Sequence, residues 1–505
     1  MASRGKTGSG HLAGASAGSR RGTSRPPPKH PGMTWHDHLV MLLQTGAEIE
    51  HAVMVEYLYA AYSLGGEQVP ERHRAMVKRW RDSLMAIARE EMGHLLAVQN
   101  ILKFVGGAPQ LDRSNPPWDS PYLPFPFRLE PLSLDSLACY VFAEMPAPGS
   151  IRAPSGRRLP ARFRRFTTRE EKRILASVGR RAGGRQHRIG LIYEEIIDLI
   201  SDPERIPDAA FDQDSLAAQA SWDEWGRNYR PDPVQLTATG DRPGDDAAPA
   251  HRPSERRAHV LVPRVATRAE AIEALRAISG QGEAMHLRRH DTGEPSHFER
   301  FLEIYQELEK VKGWNPARDI PVNPVVPAPG AKRRGTTPIR GAEAREWATL
   351  FNLRYRMLLT YIAHALRMPA PAGATRPQLR AMTMHKAFGE MYALSTIAAI
   401  VVRVPLDDAR PGRGGARRRG PAFAGPPFEM PDSLALPDAE RDAWRLHREL
   451  LAAAEPLVAR LRGPGHDAEG RRFAETLADI DRQTAAWLDR IISGAAEPAR
   501  HGADA

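Results

Sequence analysis

Apolar residues recur at helical spacing along most of the chain. The stretch "WHDHLVMLLQTGAEIEHAVMVEYLYAAYSL", from Trp35 to Leu64, keeps this spacing for about eight turns and is followed by two glycines. A second helix is predicted from about Pro70 to Val105, where "GGAP" supplies the glycine and proline residues that end helices. Because the connection between them is short, we expect these two helices to form an antiparallel hairpin.

Helical patterns return after the proline-rich stretch "NPPWDSPYLPFPFRLEPLS". They read "IGLIYEEIIDLIS", "TRAEAIEALRAISGQGEAMHL" and "SHFERFLEIYQELEKV", and Thr267 followed by Glu270 predicts a capping box at the second of these. More helices follow residue 340, whereas strand signals are scarce. The pattern predicts an all-α protein: a four-helix bundle with long irregular insertions and an additional C-terminal helical region.

The same pattern suggests where the regions begin and end. Residues 1–34 form a basic tail predicted to be disordered, and residues 35–315 form the bundle. An irregular and basic insertion at about 108–188 and a linker at about 238–260 interrupt the bundle. The C-terminal helical extension covers 316–505.

One charged pair stands out on an apolar helix face. In "REEMGHLLAVQNIL", Glu91 and His94 lie three residues apart, one helical turn. The other neighbours of Glu91 at helical spacing are all apolar: Leu84, Ile87, Ala88, Leu95 and Val98. An ionised carboxylate is unfavourable on a buried face unless it is paired or bound to a cation.

Three other predicted helices repeat this feature. Glu50 lies on an apolar stripe of the first helix, and Glu283 continues the apolar line of the helix that begins near Thr267. The next helix offers Glu294 and His297, again three residues apart. Because Pro295 disfavours helical geometry at Glu294, an alternative makes Pro295 the first helical residue and Glu294 an inward-facing cap.

A single Glu-x-x-His is common by chance and is usually a plain polar pair. The order Glu, Glu-x-x-His, Glu, Glu-x-x-His is far more specific, since it is the ligand set of ferritin-like di-iron and di-manganese bundles. Such ions need anionic oxygens for charge balance and imidazoles to complete coordination. We therefore predict two iron ions, with manganese as the alternative, held by six residues: Glu50, Glu91, His94, Glu283, Glu294 and His297.

Several neighbouring residues have two interpretations. Glu90 could replace or bridge with Glu91, and Tyr57 is either a core aromatic or a hydroxyl beside the site with a catalytic role. His51 is interpreted as a surface group or an outer partner of the ligands, and His286 or His290 as an additional ligand. His364, His385 and Glu390 lack the paired spacing and are interpreted as core or surface polar groups.

Composition narrows the alternatives. The chain of 505 residues carries a net charge of +10, but the excess lies largely in low-complexity arginine-rich stretches, so solvated loops are favoured over a nucleic-acid surface. Cys139 is the only cysteine, which excludes an internal disulfide framework and favours a reducing cytoplasm. The apolar run "ALSTIAAIVV" is shorter than the roughly 20 residues of a membrane span.

The stretches "AEIEHAVMVEYLYAAYSL", "REEMGHLLAVQNILKFVGGAPQL", "FRLEPLSLDSLACYVFAEMPAP" and "SHFERFLEIY" resemble the ferritin-like domain of the iminophenylpyruvate dimer synthase family. That family includes synthases of violacein-type and indolocarbazole pathways, which oxidatively couple two imines derived from an aromatic amino acid. The resemblance covers roughly residues 35–315 and continues more loosely through "NPVV" and "AGPPFEMP". It implies the same six metal ligands.

Three function classes follow. The favoured one is a dinuclear metal oxidase or oxygenase that uses dioxygen or peroxide on a small molecule, such as an amino-acid-derived imine or amine of secondary metabolism. The alternatives are an iron-storage or peroxide-detoxifying protein and a metal-free structural or nucleic-acid-binding module. Assembly as a homo-oligomer stays open.

Overall fold

A computed structural model describes residues 27–146, 168–181, 187–225, 260–283, 295–327, 333–368, 377–408 and 421–494. Its helices are α1 (Trp35–Ser63), α2 (Arg74–Phe104), α3 (Leu134–Ala143), α4 (Thr168–Arg181), α5 (Gly190–Ile200), α6 (Trp222–Trp225), α7 (Arg268–Glu283), α8 (His297–Leu308), α9 (Ala342–Arg367), α10 (Pro377–Val401), α11 (Glu440–Leu461) and α12 (Ala468–Ile492). Short 3₁₀ turns span Glu71–His73, Asp208–Ala210 and Gln213–Ala218. The strands β1 (Pro324–Val325) and β2 (Thr337–Pro338) pair in parallel.

The predicted hairpin of α1 and α2 is present, and the two helices pack along their length. Thr34 caps α1 in a capping box with Asp37, which satisfies amide groups that the first helical turn leaves free. Their facing sides bury large apolar residues such as Leu42, Leu95 and Ile101. Burial of these apolar side chains stabilises the hairpin.

Two shorter pairs of helices cover this hairpin. α3 packs against α8, while α5 packs against both α1 and α7. Ser133 caps α3 in a capping box, so this helix starts at a well-defined residue inside the segment 108–188, which also contains α4. The bundle around the hairpin is therefore built partly from a segment that the sequence pattern marked as irregular.

The C-terminal helices form a second helical region. α9 packs against α10 and α11, and α11 packs against α12. Their buried face includes Trp347, Phe351, Leu451 and Leu488. The predicted all-α class is confirmed. Among the described helices, each is too short or too polar to cross a membrane.

Candidate metal centre

Glu91 of α2 lies at the centre of a buried group of five ionisable side chains, which we call the inner cluster: Glu50, Glu91, His94, Glu144 and His297. One oxygen of Glu91, Oε2, lies 2.7 Å from His94 Nδ1, and the other, Oε1, lies 2.8 Å from His297 Nδ1. The two imidazole ring centres are 5.4 Å apart. Glu91 thus bridges two histidines that come from different helices.

The first half of the inner cluster contains His94 and Glu50. Glu50 Oε2 on α1 lies 3.5 Å from His94 Nδ1, and Glu50 Oε1 accepts a hydrogen bond from the hydroxyl of Tyr193 on α5. The other nitrogen of His94, Nε2, lies 2.9 Å from Oε1 of Gln281 on α7. Both side chains therefore turn one polar atom inward while an outer residue holds the other.

The second half contains His297 and Glu144. Glu144 follows the last residue of α3, and its Oε2 lies 3.9 Å from His297 Nδ1. Its Oε1 accepts a hydrogen bond of 2.8 Å from the Tyr57 hydroxyl. His297 Nε2 lies 2.9 Å from Oε2 of Glu90, whose carboxylate is also bound by Arg300. This half repeats the plan of the first.

Burial controls the protonation of the inner cluster. Burial and the neighbouring Glu91 raise the pKa of Glu50 to about 7 and that of Glu144 to about 8. Burial alone would lower the pKa of His297, but Glu91 and Glu90 outweigh it and raise that pKa to about 9. In the metal-free protein, bound protons therefore balance the negative charge of these carboxylates.

A metal ion fits this group of residues. Oε1 of Glu91 and Nδ1 of His297 are buried and face each other, yet neither makes a well-directed hydrogen bond with any side chain in the described ranges. Once His297 has lost its Nδ1 proton, the two atoms present converging lone pairs, which is typical of ligands for one cation. One ligand atom each from Glu91, His94 and His297 lies within 4.8 Å of the others.

Two glycines make room for the inner cluster. A Cβ atom on Gly93, between Glu91 and His94, would lie 2.9 Å from the carbonyl oxygen of Leu261, so glycine lets that segment lie against α2. A Cβ atom on Gly282 of α7 would lie 2.6 Å from Oε2 of Glu144. The small cavity beside these groups has a volume of about 10 Å³, roughly the space that one water molecule requires.

Four of the six predicted ligands come together in the structure: Glu50, Glu91, His94 and His297. Glu283 is the last residue of α7, but its side chain is not described, and Glu294 lies outside the described residues. Ser296 is the N-cap of α8, so the alternative with Pro295 as the first helical residue is wrong. The roles of Glu283 and Glu294 as ligands stay predictions.

The sequence interpretation missed Glu144. This residue follows "LACYVFA" and lies seven residues after Leu137 and four after Tyr140, so it continues an apolar helix face just as Glu50 does. That signal was available, but the helix has only ten residues and adjoins proline-rich sequence. Tyr193 and Gln281 gave no comparable signal, because single hydroxyl and amide groups occur on many helix faces.

Other residues near the inner cluster have defined roles. Tyr57 is fully buried, and its hydroxyl donates a hydrogen bond to Glu144 of the inner cluster. Glu90 contacts His297 from the side opposite Glu91. His51 is buried and bonds Leu111 O and the Tyr355 hydroxyl, so the surface interpretation of this residue is wrong.

The chain is similar in sequence to known proteins. A family model described as Ferritin-like matches residues 43–306. Dichlorochromopyrrolate synthase from Lentzea aerocolonigenes is 28% identical to the chain over 448 residues, covering 79% of this chain and 36% of that protein. The chain thus spans about a third of the length of this curated relative. A crystal structure of a ferritin-like protein from Caulobacter vibrioides has 15% identity and a TM-score of 0.37, over 72% of this chain and 96% of that one.

Proposed function

The chain belongs to the ferritin-like family, and from this premise we propose that it is a dinuclear metal oxidase or oxygenase acting on a small molecule. The resemblance predicted from the sequence is confirmed at the level of this family. One observation carries the proposal: Glu91 bridges two histidines, and each histidine has a further carboxylate beside it.

Five residues would hold the metals: Glu91 between the two positions, Glu50 and His94 at one, Glu144 and His297 at the other. Glu283 and Glu294 stay candidates for additional ligands. Iron, with manganese as the alternative, supplies the redox chemistry that activates dioxygen or peroxide when it is bound.

The residues around the ligands orient the carboxylates and exclude water. Tyr193 and Tyr57 each donate a hydrogen bond to one carboxylate, which leaves the second oxygen of that carboxylate turned inward. Near-complete burial of the inner cluster keeps bulk water away from the reacting atoms. The protons held by Glu50, Glu144 and His297 leave as the metals bind, because ligands must be deprotonated.

The proposed substrate class is supported by the name of the relative and by the family resemblance. The relative is named as a synthase, which favours a biosynthetic enzyme over a storage protein. We propose an amino-acid-derived imine or amine of secondary metabolism as substrate, in agreement with the resemblance described above. A cytoplasmic location and the absence of a nucleic-acid partner remain predictions.

Metal analysis tests the dinuclear site. Purified protein is expected to contain about two iron or manganese ions per chain, and Glu91→Ala should lose both because Glu91 contacts both histidines. Glu48→Ala is the matched control, since this half-buried carboxylate on the same hairpin binds the Ser114 amide and lies outside the inner cluster. Unchanged metal content in Glu91→Ala would reject the proposal.

The mass of the native assembly and the number of metal ions per chain distinguish iron storage from enzyme chemistry. A storage protein would form a large shell with hundreds of irons per particle, whereas the proposed enzyme binds about two metals per chain. Native mass spectrometry together with iron analysis distinguishes the two outcomes. Dioxygen uptake by the iron-loaded protein, absent in Glu91→Ala, would then support the oxidase assignment.

A further inference from the structure

The two histidines of the inner cluster differ in the residue that holds their outer nitrogen. Both turn Nδ1 toward Glu91. The Nε2–H of His94 donates to the side-chain amide oxygen of Gln281, and the Nε2–H of His297 donates to the carboxylate of Glu90, each over 2.9 Å. The plan of the two halves is alike, but one outer acceptor is neutral and the other is an anion.

Glu90 is built to stay ionised. Arg300 of α8 contacts both of its oxygens, with Nη1 lying 3.3 Å from Oε1, and the side chains of Glu90, Arg300 and His297 are all buried. A guanidinium on one side and an imidazole N–H on the other both favour the carboxylate form. In contrast, Gln281 carries no charge at any pH.

This difference changes how strongly each imidazole binds a cation. A hydrogen bond from the outer N–H to a carboxylate moves electron density onto the ring and makes the inner nitrogen a stronger donor. A neutral amide does this less, because hydrogen bonds to ionised acceptors are about twice as strong as neutral ones. Arg300 moderates the effect of Glu90 without removing it, since the imidazole still faces an anionic oxygen.

We propose that Glu90 and Gln281 are positioning residues that make the two metal positions unequal, so that the half with His297 and Glu144 binds metal more tightly and fills first. This inference rests on the proposed function and specifies its site. On this proposal Glu90 is an outer partner of His297 and neither replaces Glu91 nor bridges with it.

Titration of the metal-free protein with Co²⁺ tests the inequality, with binding followed by calorimetry and by the visible absorption of bound Co²⁺. The wild type should bind two ions in two resolved steps. Glu90→Gln should weaken the tighter step roughly 10- to 100-fold, the usual effect of losing an outer partner of a ligand. It should leave the weaker step within about threefold, which would bring the two steps together.

Gln281→Glu gives an independent test: this position is only half-buried, so a charge there should cost less than at a fully buried site, and the variant should fold even if Glu90→Gln does not. It should strengthen the weaker step and leave the tighter one unchanged. In the double variant Glu90→Gln with Gln281→Glu, the order of filling should reverse. Adding Glu144→Gln or Glu50→Gln shows which half of the inner cluster each binding step belongs to. In the wild-type background, Glu144→Gln should weaken the tighter step and Glu50→Gln the weaker step. In the double variant, Glu144→Gln should weaken the weaker step and Glu50→Gln the tighter one.

The outcomes are distinct. Two equal steps in the wild type, or equal weakening of both steps by Glu90→Gln, would overturn the inequality while leaving the dinuclear site intact. A wild-type protein that binds no Co²⁺ would overturn the proposed function and this inference with it. Reversal of the order in the double variant would establish that the outer residues set the difference.

Discussion

Both helical regions of the molecule bury a group of carboxylates, but they neutralise it in opposite ways. In the C-terminal region, Arg354 of α9 lies between Glu390 of α10 and Asp481 of α12, and we call these three residues the guanidinium cluster. Arg354 Nη1 lies 3.2 Å from Glu390 Oε1 and 2.9 Å from Asp481 Oδ1. The inner cluster has three carboxylates, and a permanent cation is absent from its five members.

The source of the compensating positive charge distinguishes a structural carboxylate cluster from a candidate metal site. Burial would lower the pKa of Arg354, but Glu390 and Asp481 outweigh it and raise that pKa, so the guanidinium is always charged. The charge balance of the guanidinium cluster is therefore fixed by the chain itself. The inner cluster relies on protons held by its histidines and glutamates, and protons are replaceable by metal ions.

Removing Arg354 should produce the largest effect on stability. Arg354→Ala leaves the buried carboxylates of Glu390 and Asp481 without their cation, and breaking a buried pair in this way costs about 3 to 5 kcal/mol. Urea unfolding should show this loss, while the metal content of the folded protein stays that of the wild type. Arg356→Ala, a half-buried arginine on the same helix, should change the unfolding free energy by less than about 0.5 kcal/mol.

A loss of metal in Arg354→Ala that exceeds its unfolded fraction would contradict the comparison. It would mean that the two clusters are coupled rather than independent. A destabilisation as small as that of Arg356→Ala would instead mean that the guanidinium cluster is not neutralised by Arg354.

The sequence predicted the scaffold of the site well. α1 and α2 are long, their apolar spacing is regular, and glycine or a cap marks their ends, so local chemistry alone fixes them. Glu50, Glu91 and His94 were found because they interrupt that regularity. His297 was found in the same way, and the predicted helix that begins with "SHFERF" agrees with Ser296 as the N-cap of α8.

The sequence could not predict which helices pack against each other when they are distant along the chain. α3 is short and packs against α8, which begins more than 150 residues later, so the role of Glu144 depends on tertiary packing. Local patterns carry no information about such pairing. The guanidinium cluster was missed for the same reason: Glu390 was interpreted as a plain polar group, and Arg354 and Asp481 belong to separate helices.

The next largest effect is expected from raising the pH, which should reduce the stability contributed by the inner cluster but not that contributed by the guanidinium cluster. The raised pKa values of Glu50, Glu144 and His297, about 7, 8 and 9, mean that the folded metal-free protein binds more protons than the unfolded chain does. Stability contributed by these protons is lost as pH rises through those values. Apparent metal affinity should increase over the same range, by about tenfold per pH unit for each proton released.

Thermal unfolding of chelator-treated and metal-loaded protein at pH 6.5 and pH 8.5 measures both trends. We expect the metal-free protein to be less stable at the higher pH and the stabilisation by metal to be larger there. Glu50→Gln combined with Glu144→Gln should flatten this dependence, because both of these titrating groups are gone. Equal stabilisation by metal at the two pH values would contradict the picture of protons as replaceable charges.

The smallest expected effect comes from the helix that closes the inner cluster. Gly282→Ala places a Cβ atom 2.6 Å from Oε2 of Glu144, so the carboxylate must move and metal affinity should fall by roughly tenfold. Gly389→Ala is the matched control, because no described atom outside the adjacent turns of its own helix lies within 4 Å of its added Cβ. It should leave metal affinity unchanged and stabilise α10 by about 0.5 to 1 kcal/mol. Since α10 supplies Glu390 to the guanidinium cluster, this pair of glycines compares the two regions directly. If both variants bind metal as the wild type does, Glu144 is not held against α7 in the way the geometry requires.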